Sequence, residues 1–177
     1  PRAQRLASGV AVPWAMRAQE LLKEDWGVVA DVWSVTSWTQ LRRDALAAER
    51  DALLDPGAQA RVPYVTQALQ DAPGPVVAVS DYMRAVQDQI RPFVSADFIS
   101  LGTDGWGMSD TRGALRRHFL VDAESITTQT LAMLAAKGQV DRKAPRHRPG
   151  AAPQTTRGDQ LTATPRAPDS PRPATLA

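Results

Sequence analysis

VVAVS, residues 76–80, predicts the best-defined β-strand of this sequence, because four apolar, mostly β-branched residues follow one another without interruption. The turn-forming stretch 73–75, Pro-Gly-Pro, comes just before it, so the strand has a clear beginning. After it, Ser80 or Asp81 is predicted to cap a helix whose core face would be Met83, Val86 and Ile90. A continuous apolar strand followed by a helix is typical of a parallel sheet that is buried on both faces.

Similar units lie on either side of this strand. Further strands are predicted at 3–8, 28–35, 97–102 and 118–121, and helices at 13–25, 38–51, 63–72, 112–117 and 123–137. The alternation predicts an α/β fold, a Rossmann-like three-layer sandwich of about five mostly parallel strands with helices on both faces. Ligands of such folds sit at the carboxyl ends of the strands.

Residues that start and stop helices support these boundaries. Pro13 suits the first turn of a helix, whose apolar face would include Trp14, Ala18 and Leu21, with Val12, Met16 and Leu22. Ser37 followed by Gln40 matches a capping box, and Asp122 is predicted to cap the last helix. Gly27 and Gly138 are predicted to end helices, Gly138 in a left-handed conformation.

The composition excludes several classes of function. The 177 residues include no cysteine and two histidines, so disulfides and thiolate metal sites are excluded and a histidine-based metal site is not expected. No apolar run approaches about 20 residues, which indicates no membrane span and favours a cytoplasmic location. The formal net charge is +2, but residues 1–140 alone carry −2, so no nucleic-acid surface is predicted on the folded part.

Residues 143–177 differ in kind from residues 1–142, which are predicted to form one domain. Seven of the 14 prolines lie between 145 and 173, among Ala, Thr and Arg, and apolar periodicity is absent. This composition predicts a disordered Pro/Arg/Ala-rich tail. A shifted reading frame near residue 143 and a natural extension are both compatible with it.

The stretch TDGWGMSDTRGALRRHF, residues 103–119, is the main candidate for a functional loop. Its Gly105-Trp106-Gly107 lacks the third glycine of a nucleotide fingerprint, and no serine nucleophile has an evident base beside it. A structural role is favoured, in which Asp110 caps the helix at 112 and Arg112 pairs with a nearby carboxylate. His118 is expected in the core or at an interface. The five tryptophans fit either a core or an interface equally well. The candidate residues of the loop are Asp104, Gly105, Trp106, Gly107, Ser109, Asp110, Arg112 and His118.

Four segments, in order, carry a family resemblance that runs from about residue 4 to residue 142. They are GVAVPWAMRAQELLKEDWGVVADVWSVTSWTQLRRDALAAER (9–50), RVPYVTQAL (61–69), VVAVSDYMRAVQDQI (76–90) and LGTDGWGMSDTRGALRRHF with VDAESI (101–126). These segments resemble the carboxyl-terminal domain of the homodimeric bacterial pyruvate dehydrogenase E1 component, in its actinobacterial form. The loop resembles that family's D-G-F-G-x-S-D-x-R pattern, with Trp106 where phenylalanine is usual.

The resemblance implies a transketolase-like carboxyl-terminal domain of a longer enzyme. That enzyme decarboxylates pyruvate on thiamine diphosphate with Mg²⁺ and reductively acetylates the lipoyl group of the E2 acyltransferase. Its implied partners are the remaining E1 domains, the second E1 subunit and E2, and the chain would be a fragment or the product of a split or truncated gene.

The family's cofactor motif, Gly-Asp-Gly followed by an asparagine, is missing from this sequence. The chain contains neither Gly-Asp-Gly nor any asparagine. Its four glutamates, Glu20, Glu24, Glu49 and Glu124, lie on or beside amphipathic helices, where a solvated face explains them. We therefore expect no catalytic, cofactor-binding or metal-binding residue here, and a structural, dimer-supporting chain that is inactive alone. The alternative is a stand-alone α/β module that binds a small ligand or a nucleotide at the loop.

Overall fold

The computed structural model describes residues 1–143, and the tail predicted at 143–177 lies outside them apart from Lys143. The described part is an α/β fold, as predicted. Its elements are β1 (Arg2–Ala7), α1 (Val12–Trp26), β2 (Val29–Ser34), α2 (Trp38–Leu54), α3 (Tyr64–Leu69), β3 (Val76–Val79), α4 (Arg84–Asp88), β4 (Phe98–Leu101), α5 (Arg112–His118) and α6 (Ala123–Ala136).

The four strands form one parallel sheet in the order β2-β1-β3-β4. Gln4 of β1 lies between Asp31 of β2 and Val76 of β3 in the register, and Val76 in turn pairs with Phe98 of β4. The strand predicted at 76–80 is therefore an inner strand, and all four of its residues are buried. Burial on both faces explains why its sequence is continuously apolar rather than alternating.

Helices cover both faces of the sheet. On one face, Ala7, Val77 and Val79 pack against small residues of α1, Ala15 and Ala18, and against α6. On the other face, the side chains of the intervening strand positions pack against α2, α3 and the segment around α4, in a cluster that contains Leu6, Trp38, Val65, Val76, Ala78 and Ile90. This is the three-layer arrangement that the alternation of elements predicts.

The sheet has four strands among the described residues, not five, because the fifth predicted strand at 118–121 is a helix end. His118 is the last residue of α5, and Leu120 has a left-handed backbone, with φ of 59°. The amides of Phe119 and Val121 donate to helix carbonyls, those of Leu115 and Arg116, at 2.9 Å each. Because these two amides form the C-cap of α5, they cannot also donate to a neighbouring β-strand.

The predicted helix ends are confirmed where a local side chain or glycine decides them. Ser37 Oγ accepts from the amide of Gln40 at 3.2 Å, and Asp122 Oδ1 accepts from Ser125 at 2.8 Å. Gly27 caps α1 with φ of 61°, and Gly138 follows α6 with φ of 69°. Pro13 lies in the first turn of α1.

The predicted core faces of α1 and α4 are only partly correct. The residues of α1 that the fold buries are Ala15, Ala18 and Leu22, whereas Met16 is exposed. Near α4, Ile90 is buried and Met83 is exposed. The close approach of α1 to the sheet favours alanine over large side chains, which periodicity does not register.

Arg5 of β1 is a buried cation at the centre of the sheet. Its side chain is fully buried, and none of its three guanidinium nitrogens has a hydrogen-bond partner among the described residues. Burial lowers the pKa of Arg5 to about 10, against a weaker raising influence of Asp31. Desolvation of a charge that no hydrogen bond compensates makes this residue a source of instability in the domain.

Candidate functional site

The loops after three neighbouring strands gather at the carboxyl edge of the sheet. After β1 the chain crosses to β2 on one side, and β3 lies on the other side of β1, so the strand order reverses between β1 and β3. In doubly wound sheets this switch point is where ligands bind. The predicted loop at 103–112 follows β4, beside that point.

Asp104 ties the loop to the helix that follows β3. Its Oδ1 accepts from the backbone amide of Arg84 at 2.9 Å, and its Oδ2 accepts from Arg84 Nε. Arg84 is the first residue of α4, so a carboxylate from a different loop caps this helix. Ser80 and Asp81, the predicted caps of this helix, do not cap it. Ser80 Oγ accepts from the amide of Tyr82 at 3.0 Å, and Met83 occupies the N-cap position of α4.

A close backbone approach fixes the same two loops to each other. A Cβ added to Gly102 would lie 2.4 Å from the carbonyl oxygen of Tyr82, so only glycine fits there. The amide of Thr103 donates to the Tyr82 carbonyl at 2.9 Å, and its hydroxyl donates to the carbonyl of Asp81 at 2.6 Å. The start of the predicted loop is therefore rigidly held, as a structural role requires.

The middle of the loop projects into solvent. Trp106 is 94% exposed, and Met108 is exposed as well. Gly105 has φ of 92°, a conformation that favours glycine, and Gly107 and Ser109 are exposed. Tyr82 and Met83 are also exposed at this edge of the sheet. A fully exposed tryptophan is unusual on the surface of a complete monomer and is typical of a surface that another protein part covers.

Thr111, not Asp110, caps α5. Thr111 Oγ1 accepts from the amide of Ala114 at 3.3 Å, whereas Asp110 Oδ1 accepts from the amide of Thr111 at 2.6 Å, one residue outside the helix. The prediction that Asp110 caps the helix is wrong by one position. Threonine and aspartate are both good caps, and only the backbone path selects between adjacent candidates.

The other charged residues of the loop do not form the predicted groupings. No described carboxylate lies within ion-pair distance of Arg112. His118 is exposed and packs edge-to-face on Phe119, with ring centroids 4.8 Å apart. It is therefore not in the core.

A mostly apolar groove of about 210 Å³ lies where α1, α5 and the strand ends meet. Its apolar walls include Trp14, Leu115, Phe119 and Val121, and the guanidinium carbon of Arg116 lies 4.7 Å from the centre of the Trp14 ring. Sequence patterns do not indicate this groove, because its walls come from segments about 100 residues apart.

Ligands for a metal ion or a cofactor would have to come from the polar side chains of the described residues. Within residues 1–143 no three His, Cys, Asp or Glu side chains are grouped so that they could hold a metal ion. The chain also lacks the asparagine of the expected thiamine diphosphate motif. The donor set does not fit thiamine diphosphate with Mg²⁺, so no catalytic step is assigned to this chain. None of the described helices combines the length and the apolar character that a membrane crossing requires.

The fold defines the class, which is a doubly wound parallel α/β domain whose switch point lies at the carboxyl edge of the sheet. Residues 1–122 match the family model of the transketolase-like TK C-terminal domain. The chain belongs to this family.

Three curated relatives of this chain share the name pyruvate dehydrogenase E1 component. The chain is 57% identical over 139 residues to the pyruvate dehydrogenase E1 component of Mycolicibacterium smegmatis, covering 78% of this chain and 15% of the relative. It is 51% identical over 172 residues to that of Mycobacterium tuberculosis, covering 97% of this chain and 18% of the relative. The protein of the same name from Escherichia coli is 45% identical over 143 residues, covering 80% and 16%. The chain therefore spans less than a fifth of the length of these relatives.

Proposed function

We propose that this chain is the carboxyl-terminal domain of a pyruvate dehydrogenase E1 component. The complete enzyme would decarboxylate pyruvate on thiamine diphosphate with Mg²⁺ and pass the acetyl group to the lipoyl group of an E2 acyltransferase in the cytoplasm. The observation that carries the proposal is the 57% identity to the M. smegmatis relative over 139 residues.

Within that enzyme the domain would have a structural role. We infer that the exposed carboxyl edge, with Trp106, Met108, Tyr82 and Met83, packs against the other E1 domains or the second subunit of the dimer. Asp104 and Gly102 support this role because they hold the two loops of that edge together. The cofactor and the metal ion would be bound by residues outside this chain, and the chain alone would be inactive.

A chimera tests the proposal. The carboxyl-terminal segment of the M. smegmatis relative that matches residues 1–142 would be replaced by those residues, and pyruvate-dependent acetyl transfer measured. We expect the chimera to be active, and the 177-residue chain with thiamine diphosphate and Mg²⁺ to be inactive. Turnover by the chain alone, or an inactive chimera that is folded and dimeric, would contradict the proposal.

The tail is best interpreted as a natural extension. The match to the M. tuberculosis relative covers 97% of the chain, whereas a match ending at residue 142 would cover about four fifths of it. The similarity therefore extends through most of residues 143–177, which a reading frame shifted in this chain alone would not produce. Sequencing the gene across codon 143 in independent isolates tests this interpretation. We expect the same open reading frame in every isolate. A reading frame that differs between isolates at this point would contradict a natural extension.

A further inference from the structure

We propose that Leu120, at the end of α5, is an apolar anchor that packs against another part of the E1 enzyme. This role depends on the proposed function above, because the contact needs an E1 polypeptide that extends beyond this chain. The backbone conformation of Leu120, the exposure of its side chain and the apolar groove beside it all point to such a contact.

Leu120 occupies a backbone position that glycine normally takes. α5 ends in a Schellman motif, in which the amide of Val121 donates to the carbonyl of Arg116 at 2.9 Å. The amide of Leu120 donates to the carbonyl of Arg117 at 3.2 Å, which completes the motif. Leu120 has φ of 59°, and this left-handed conformation is unfavourable for a bulky side chain and free of strain for glycine.

α6 ends in the same motif with glycine at the left-handed position. The amide of Gly138 donates to the carbonyl of Ala135 at 3.0 Å, and the next amide donates to the carbonyl of Leu134 at 2.9 Å. Gly138 has φ of 69°, and Gly27 ends α1 with φ of 61°. Of these three left-handed helix ends, only that of α5 carries a side chain.

The side chain of Leu120 is little used inside the domain. Val121 belongs to the core cluster that joins α1, α6 and the sheet, and Phe119 packs against that cluster. Leu120, between them, is 43% exposed and belongs to none of the core clusters. A strained backbone position whose side chain is half in solvent indicates that the side chain has a contact outside the domain.

The groove beside Leu120 indicates that this contact is apolar. Leu115 and Val121 line the mostly apolar groove, and Val10, which also lines it, is exposed. Its volume of about 210 Å³ holds one large apolar side chain, since a protein cavity of about 150 Å³ holds benzene. A charged partner group would lose its hydration there without gaining a polar contact, so the occupant is an apolar protein segment.

The remaining E1 domains are the source of that segment. The groove lies at the carboxyl edge of the sheet, where Trp106 and Met108 are exposed as well. Aromatic and methionine side chains are enriched at protein interfaces, so Leu120 continues the surface already assigned to an interdomain contact. The chain covers 15% and 18% of its two mycobacterial relatives, so more than four fifths of such an enzyme is available to cover this edge.

Leu120→Gly tests the proposal in two proteins. In the 177-residue chain glycine relieves the left-handed backbone, so the midpoint of thermal unfolding should rise by about 3 °C. In the M. smegmatis chimera the same variant removes the anchor, so the midpoint should fall below that of the parent chimera. Leu120→Asn, which also tolerates the left-handed conformation but has no apolar side chain, should lower the midpoint of the chimera as well.

Two further variants are controls. Gly138→Leu places a leucine at the left-handed end of α6, where a Cβ would meet no atom within 4 Å, so only the backbone is affected. This variant should lower the midpoint of both proteins. Leu53→Ala removes a leucine side chain that is 79% exposed on α2, and it should change neither midpoint.

Three results would overturn the proposal. A midpoint that does not rise for Leu120→Gly in the 177-residue chain would mean that Leu120 packs within the domain, and one that does not fall in the chimera would mean that no outside contact exists. Sedimentation that shows a dimer of the 177-residue chain, dissociated by Leu120→Gly, would assign the surface to a second copy. These measurements need no turnover, so an inactive chimera that still unfolds cooperatively would contradict the proposed function alone.

Discussion

At the scale of single residues, Arg5 is the least expected feature of the protein. A lone arginine in a predicted strand gives no sign of its burial, yet Arg5 is fully buried with no hydrogen-bond partner among the described residues. An apolar side chain of similar length would fill the same space without the cost of desolvating a charge.

We therefore predict that Arg5→Met stabilises the chain by about 1–4 kcal/mol, a range taken from replacements of buried charged groups by apolar ones. Because burial lowers the pKa of Arg5 to about 10, the folded state carries the full penalty below that pH. The penalty is relieved as pH rises above about 10 toward the higher, ordinary pKa of arginine, so the advantage of the variant should shrink there.

Urea denaturation at pH 7 and above pH 10 measures both effects. Arg2→Met, at an exposed position of the same strand, is the matched control and should change little. Loss of stability in Arg5→Met would mean that the guanidinium has a partner in solution.

Thr111 and Asp110 give a second test at single positions. Thr111→Ala removes the hydroxyl that accepts from Ala114, and we expect a loss of about 1 kcal/mol in the free energy of unfolding. Asp110→Ala should cost less, since its carboxylate lies outside the helix. Thermal melts of the two variants compare them directly, and the reverse order would restore Asp110 as the cap.

At the scale of elements, Asp44 connects α2 to the segment that leads to α3. Its Oδ2 accepts from the amide of Tyr64, the first residue of α3, at 2.7 Å, and Arg61 pairs with its Oδ1. These two interactions lower the pKa of Asp44, with the Tyr64 amide as the larger cause. The carboxylate is thus both a helix cap and an anchor for the connection at 55–63.

We predict that Asp44→Ala frees this connection and speeds tryptic cleavage after Arg61. Limited proteolysis with mass analysis of the fragments measures the rate, and Glu49→Ala, an exposed acid on the same helix, is the control. In the parent chain the anchor is present above the ordinary pKa of aspartate and is lost as pH falls through the lowered value. Equal cleavage rates in the two variants would show that Asp44 does not hold the loop.

At the scale of the whole molecule, the exposed loop at 103–112 allows the stability of the domain and its role in a larger assembly to be tested separately. Trp106 is 94% exposed, so Trp106→Ala should change the stability of the 177-residue chain by no more than about 0.5 kcal/mol. If this edge contacts other E1 domains, the same change should lower activity or dimer stability in the M. smegmatis chimera.

Lys23→Ala, an exposed position on α1, serves as the control in the chimera. Activity and sedimentation of the two chimeras are compared, and Trp106→Phe should behave as the parent because an aromatic ring is retained. A Trp106→Ala chimera with unchanged activity and dimerisation would remove this edge from the interface.

The sequence by itself determined the strands and helix ends that depend on residues close together in the chain. The apolar run at 76–80 predicted a strand, and Ser37, Asp122 and Gly27 set helix ends through contacts within a few residues. The motif segments also indicated the family, because 9–50, 61–69, 76–90 and 101–126 follow one another in the order of that family, and the match over residues 1–122 agrees. The predicted strand at 118–121 was wrong because its amides donate to the carbonyls of α5, a competition that the four residues HFLV do not reveal.

Only the tertiary structure decided the interactions between distant segments. Asp104 caps α4 across 20 residues of sequence, Arg116 lies over Trp14 across about 100, and the groove exists because three strand ends meet at one edge. The burial of Arg5 and the exposure of Trp106 were also decided only by the tertiary structure. The physical reason is common to all of them: periodicity and capping act over one or two turns of chain, whereas burial and pairing depend on which elements the sheet brings together.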